Sequence, residues 1–399
     1  MEPVTHFLTG ACLSRAGFNR KTAYATLAAV LAAEAADLDV FWGFAGPVEE
    51  LKHHRGITHT VWAVPVVAGV VVGAVALLHL WRQSRQRRAA PPFSADDLLI
   101  ENSKAPLAPP AAQAVHWGWL YLTACTAALS HLLLDWTNNY GVRPFFPLNP
   151  RWYAGSFMFI AEPLVWALLF LAFAMPWLLG LADREIGARR TPFRGQGWAV
   201  FALIGMLVLG CLRWAEHAQA LVMVENANVA SEPVTRMAAE PYPVNPFHWH
   251  AILETADFYQ TAEINTRANS IDSDSLRDVL YKPTDTPAVE AAKRTPLGQV
   301  YLDWGTWAVV RDVGPEPIPG PVPGLNPPNL LPGRSWTTVE FTDLRFDYAF
   351  IGSRSASARP TLAGWVYIVD GRDDGAPADR SSSAGWEDAG EAMNGREQR

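Results

Sequence analysis

Four long apolar stretches constrain this chain more than any other feature. They run about Ile57–Trp81, Val115–Trp136, Phe157–Ala182 and Gly197–Trp214. Crossing the hydrocarbon core as a helix takes roughly 20 apolar residues, and a helix satisfies its own backbone polar groups where no water can. Tryptophans sit near the ends of these stretches (Trp62, Trp81, Trp117, Trp119, Trp136, Trp177, Trp198, Trp214), as an interfacial aromatic belt requires. Pro65, Pro163 and Pro176 mark kinks or helix starts. The mean hydropathy of the 399-residue chain is only +0.04, so a lipid-embedded half must be diluted by a water-soluble one.

Arginine sets the expected orientation. RQSRQRR (82–88) follows the first stretch and DREIGARRTPFRG (183–195) follows the third. The excess of positive charge in cytoplasmic loops places both inside, and everything after Trp214 outside, in the periplasm of a Gram-negative cell. Two shorter apolar runs, Val4–Leu13 and Thr22–Ala36, flank Gly17 and Asn19 and predict an antiparallel hairpin with His6 and Asp37 at one level. A hairpin lying in the membrane surface is the alternative. Residues 89–113 read as a Pro/Ala-rich cytoplasmic loop.

Beyond about residue 215 the apolar runs become short and alternating. Residues 250–265, 299–313, 337–350 and 364–370 predict strands, residues 314–333 a Pro-rich loop, and residues 371–399 a disordered tail. The expected architecture is mainly α: a polytopic transmembrane helical domain over 1–214, then a smaller β-rich soluble domain over 215–370. A net charge of −7 argues against a general nucleic-acid binder. Cys12, Cys125 and Cys211 lack metal or disulfide spacing and read as small hydrophobes. MEPVTHFLTG has no basic n-region, so no cleavable signal peptide is expected.

With arginine alone fixing the topology, nearly every intramembrane histidine and carboxylate falls on the outer side. His131 and Asp135 are four apart on one helix face, a spacing that lets an imidazole and a carboxylate grip one borderline cation such as zinc. An ordinary hydrogen-bonded pair is the plainer alternative, but ionisable groups within a span are costly and point to function. In H-H-R-G-I-T-H (53–59), His59 is the candidate ligand, His54 a ligand or a supporting group, and His53 an interfacial residue. Arg55 is placed to hold an anionic group or a developing oxyanion, or a lipid headgroup. Glu34, Asp37 and Asp39 crowd a helix C-terminus, where acidic groups oppose the macrodipole unless a cation is near. Asp37 is the preferred ligand and Asp39 a ligand or support, against a loop-cap role. Glu162 is a general base, a support for a histidine tautomer, or a helix N-terminal carboxylate. His248 and His250 share a strand face but lie outside the membrane half.

The ordered motifs T-H-F-L-T-G (5–10), A-D-L-D (36–39), H-R-G-I-T-H-T (54–60) and H-L-L-L-D-W-T-N-N-Y-G-V-R-P-F-F-P (131–147) resemble the YdjM family of bacterial inner-membrane metal-dependent hydrolases. That family is similar, at a distance, to zinc-dependent phospholipase C and the P1-type nucleases. Carried over position by position, the resemblance implies metal-site roles for His6, Asp37, His59, His131 and Asp135. Ala36 stands where the family usually has proline, and Glu162 where aspartate is common. The resemblance covers roughly the first 180 residues and says little about the rest.

The expectation is therefore hydrolysis by a water activated by a divalent metal, zinc in the family's manner, with Asp39 or Glu162 taking the proton and Arg55 steadying negative charge. A phosphoester, in the form of a phospholipid or other membrane lipid, fits the location as substrate. The rival is a non-catalytic membrane protein whose metal or His/Asp network staples helices while the outer domain binds a partner. A transporter would spread its ionisable groups along a path near the midplane, whereas these collect at one end.

Overall fold

A computed structural model describes residues 1–89, 113–186, 195–227, 229–319, 325–328, 335–348, 361–370, 385–393 and 396–397. Most of the expected 89–113 loop, the arginines at 189, 190 and 194, and the start of the expected tail lie outside these residues. Chain contacts divide the molecule into two compact units, Met1–Ala36 with His59–Asp135 and Ala161–Leu209, and Asp37–Thr58 with Trp136–Ile160 and Gly210–Arg399.

The first unit begins with the expected hairpin, α1 (Pro3–Ala16) and α2 (Ala25–Glu34). Glu2 caps α1 by accepting from the Thr5 amide, and Pro3 fills the first turn, where a missing N–H costs nothing. The hairpin is held close by small residues. A Cβ on Gly10 would lie 2.8 Å from the Ala29 carbonyl oxygen, so only glycine fits that crossing. Ala28, Ala29, Ala32 and Ala33 continue into one buried cluster with Ala68, Val71 and Val75 of α4 (Ala63–Ala89) and Leu120, Ala124, Ala127 and Ala128 of α5 (Trp117–Thr137). Small side chains at such crossings let helix backbones approach, as in membrane bundles where packing must replace the hydrophobic effect.

Two further long helices follow, α6 (Pro163–Glu185) and α7 (Gln196–Ala227). Among the described residues, four helices are long and apolar enough to cross a membrane: Ala63–Arg88, Trp117–Thr137, Pro163–Asp183 and Gln196–Ala227. The first starts later than the apolar pattern suggests. Ile57–His59 forms a 3₁₀ turn, and the Thr60 hydroxyl accepts from the Ala63 amide and caps α4. RQSRQRR is the last part of α4 and not a loop.

The second unit opens with a 3₁₀ segment, Ala36–Ala45, and the short helix α3 (Pro47–His53). One antiparallel sheet comprises β1 (Arg236–Pro241), β2 (His248–Glu254), β3 (Phe258–Asn265) and β4 (Ser270–Asp272), with β5 (Val279–Tyr281) also on β3. After α8 (Pro287–Ala292) and α9 (Pro296–Trp304), a second antiparallel sheet forms from β6 (Ala308–Gly314), β7 (Trp336–Asp343), β8 (Gly364–Asp370), β9 (Trp386–Met393) and β10 (Arg396–Glu397), in the order β10-β9-β8-β7-β6. Its core gathers Leu297, Tyr301, Trp304, Val339, Phe341, Val366 and Ile368.

The structure corrects two expectations in this region. The 299–313 stretch is half helix, because Thr295 caps and Pro296 starts α9, and these signals outweigh the alternation that follows. The tail is not wholly disordered, since β9 pairs with β8 from Gly364↔Met393 to Asp370↔Trp386. Glu387, Asp388 and Ala389 of this strand stay exposed, while Glu391, Ala392 and Met393 are buried.

Candidate metal centre

Four side chains converge. Ligand-capable atoms of Asp37, His59, His131 and Asp135 all lie within 4.8 Å of one another, and the last three residues are fully buried. His131 and Asp135 come from the last two turns of α5, one helical turn apart. His59 ends the 3₁₀ turn before α4, and Asp37 follows Ala36 directly beyond α2.

The distances suit a small cation. His59 Nε2 lies 3.0 Å from His131 Nε2, and Asp135 Oδ2 lies 3.3 Å from each. Donors roughly 2.0–2.1 Å from a tetrahedral zinc stand about 3.3 Å apart. The decisive contact is on the far side of the His131 ring. Its Nδ1 is 2.6 Å from the Ala33 carbonyl oxygen. A carbonyl can only accept, so Nδ1 carries the proton and Nε2 presents its lone pair to the group. Two imidazoles and two carboxylates are a donor set for zinc or a similar borderline ion, and the fixed tautomer is the one such an ion needs.

His6 is buried beside this group but not brought into it. Its ring stacks on His131 with centroids 3.8 Å apart, and its Nε2 lies 3.4 Å from Asp135 Oδ1 and 3.1 Å from the Met1 carbonyl oxygen. The Met1 amino group also contacts Asp135 Oδ1.

Asp39, Arg55 and His54 form a cluster of their own within the second unit. The Asp39 carboxylate accepts from the Arg55 amide at 2.7 Å and the Thr58 hydroxyl at 3.3 Å, and lies 3.2 Å from His54 Nδ1. It ties down the whole H-R-G-I-T loop, and Arg55 is held there at a left-handed φ of 51°. The Arg55 guanidinium donates to the Gly141 carbonyl at 2.8 Å and to Asn138 Oδ1 at 3.3 Å, and lies over the Tyr140 ring. Burial lowers its pKa to about 10, against Tyr140, Asp37 and Asp39, which favour its charge. Glu162 sits at the start of α6 and accepts from the Leu164 amide at 3.3 Å. His53 stacks on Trp42 and pairs with Glu49.

A family model described as "YdjM inner membrane protein" matches residues 1–220, more than half of the chain. The chain belongs to the YdjM inner membrane protein family. No curated protein and no solved structure matches it.

Within this YdjM-family chain, the run T-N-N-Y-G-V-R (137–143) takes roles that spacing alone did not reveal. Asn138 bridges Arg55 Nη1 and the Tyr140 amide, and the Gly141 carbonyl receives Arg55 from a φ of +85°. Arg143, nearly buried, donates to the carbonyls of Lys52 at 2.9 Å and His54 at 3.4 Å. An arginine following two asparagines in an otherwise apolar region was the available signal. Away from the centre, His248 and His250 share the Glu263 carboxylate at 3.2 and 3.1 Å. Burial would raise the pKa of Glu263, but hydrogen bonds from both histidines outweigh it and bring it down to about 2.

Proposed function

We propose that the protein is a membrane-bound, metal-dependent hydrolase acting on a phosphoester, with an amphiphilic lipid as its natural substrate class. The observation that carries this reading is the His131 ring, whose Nδ1 is committed to the Ala33 carbonyl while its Nε2 faces His59 and Asp135. Asp37, His59, His131 and Asp135 would hold the ion, and zinc suits the donor set. When bound, such an ion supplies Lewis acidity and lowers the pKa of water toward neutrality. The chain's own contribution is orientation. Ala33 fixes one tautomer, His6 braces Asp135, and Asp39 holds the loop that delivers His59. Glu162 or Asp39 would accept a proton, and the Arg55 charge would favour a developing anion nearby.

The orientation belongs to the same proposal. His59 precedes α4 and Arg82–Arg88 end it, so the donor group and the arginines lie at opposite ends of one spanning helix. Positive charge inside puts the arginines in the cytoplasm and the centre on the periplasmic side, together with the β-rich part.

The test is metal content and hydrolysis measured together. Purified protein should hold one equivalent of zinc and cleave a phosphodiester, with both lost in His131→Ala. Zinc binding without turnover on phosphoester, carboxylic ester or amide substrates would sink the hydrolase reading. It would favour a second one, in which the group staples helices, because the 3.0 Å separation of His59 and His131 is also a hydrogen-bond distance.

A further inference from the structure

We infer that the 3₁₀ segment after α2 inserts its apolar crest into the lipid leaflet at the level of the metal centre. Leu38, Val40, Phe41, Trp42 and Phe44 are five large apolar side chains within seven residues, each about half exposed or more, and Phe44 is 86% exposed. Ile57 is similarly bare. A contiguous patch of this kind is unusual on a surface facing water.

The patch is built to stay in place. Asp39, in the middle of the segment, accepts from Arg55 and Thr58 on either side of Ile57, so one buried carboxylate fastens both parts of the crest. The Phe41 and Phe44 rings stack with centroids 5.9 Å apart, and Trp42 stacks on His53 at 4.1 Å. A flexible loop in water would gain little from such bracing.

The occupant follows from position. Leu38 adjoins Asp37, and Ile57 is two residues before His59. Both donors converge with His131 and Asp135, which occupy the last two turns of a helix long and apolar enough to span. The crest is thus joined along the chain to donors that meet at a span end, where hydrocarbon gives way to headgroups. The chain then changes character at once. After Pro47 comes α3, which buries Val48 and Leu51 in the core and carries Glu49, Glu50, Lys52 and His53 on its partly exposed side. An apolar face flanked by charge is the pattern of segments buried roughly 5–10 Å into the interface.

The functional consequence rests on the hydrolase reading: a substrate would reach the centre from the leaflet and not from bulk water. The crest itself can be tested without turnover. In a Cys125→Ala/Cys211→Ala background, Phe44→Cys and separately Phe41→Cys carry an environment-sensitive fluorophore in phosphatidylcholine nanodiscs. Leu276→Cys, in a loop and 93% exposed, is the water-facing control. Insertion predicts blue-shifted emission and at least about twofold stronger quenching by lipid nitroxides near the headgroup than at the control. Emission and iodide quenching equal to the control would overturn the inference. So would protection from both quenchers, whether by a second copy (seen as energy transfer between labelled copies) or by other parts of the chain. Retained zinc content and elution volume show that each variant is folded. If the hydrolase reading holds, Phe41→Ser/Phe44→Ser slows cleavage of vesicle lipid about tenfold and spares a water-soluble phosphoester. If the protein is inactive on both substrates, the hydrolase reading fails by itself, and the quenching measurement still decides whether the crest lies in lipid.

Discussion

Replacing Asp135 by asparagine tests the centre most directly, because the shape is kept and only the charge is lost. Asp135 Oδ2 lies 3.3 Å from both His59 Nε2 and His131 Nε2, and Oδ1 lies 3.4 Å from His6 Nε2, so one carboxylate serves three imidazoles in a fully buried site. Apparent binding free energies for structural zinc are about 10–16 kcal/mol. Shared over four donors, that is roughly 2.5–4 kcal/mol for Asp135, or roughly 60- to 700-fold in Kd at about 1.4 kcal/mol per tenfold. The assay is competition against a chelating dye, with metal content measured after gel filtration. Asp135→Asn should elute like the wild type yet bind zinc at least about 60-fold more weakly. A variant that keeps one equivalent of zinc with an unchanged Kd would refute the assignment of Asp135 among the residues that would hold the ion, since its Oδ2 lies 3.3 Å from both His59 Nε2 and His131 Nε2.

Three other outcomes are expected. Asp39→Ala frees the loop carrying Arg55 and Thr58, costing about 1–3 kcal/mol in urea unfolding and about 10- to 100-fold in zinc affinity; unchanged affinity would show that the loop needs no such anchor. Gly10→Val forces α1 away from α2, where a Cβ already meets Ala29 and Ala33 below 3.0 Å, so a loss of about 1–3 kcal/mol is expected, with weaker zinc binding as the Ala33 carbonyl leaves His131. The pKa of Glu240 is raised to about 8, chiefly by burial, with Arg345 opposing. A raised carboxyl contributes stability that is present below its ordinary value of 4.5 and lost as pH climbs through 8. The melting temperature should therefore fall between pH 5 and pH 8 less steeply in Glu240→Gln than in the wild type, and parallel profiles would count against a buried neutral acid.

The sequence was most legible where structure depends on local period and end signals. Four apolar lengths announced four helices, Gly17 the turn of the hairpin, and the four-residue step from His131 to Asp135 a shared face. It was least legible where two local signals competed or a long-range partner decided. Thr295–Pro296 against alternation made α9, and Trp386–Met393 became a strand because β8 offered an edge. The exposed crest at Leu38–Phe44 was hidden for the same reason: apolar composition reads as core until neighbours are known.

Residue types and their spacing were enough to say that this is a membrane chain with histidines and carboxylates at one end of its spans. They singled out Asp37, His59, His131 and Asp135 as candidates, but also His6, His54 and Asp39, and could not separate the two sets. Asp37, His59, His131 and Asp135 come together only because alanines and Gly10 let α1, α2, α4 and α5 pack closely, while His6 stops one layer short and Asp39 turns to fasten a loop. The choice of tautomer at His131 is made by a backbone carbonyl 98 positions away, a group every residue carries and no side-chain pattern can flag.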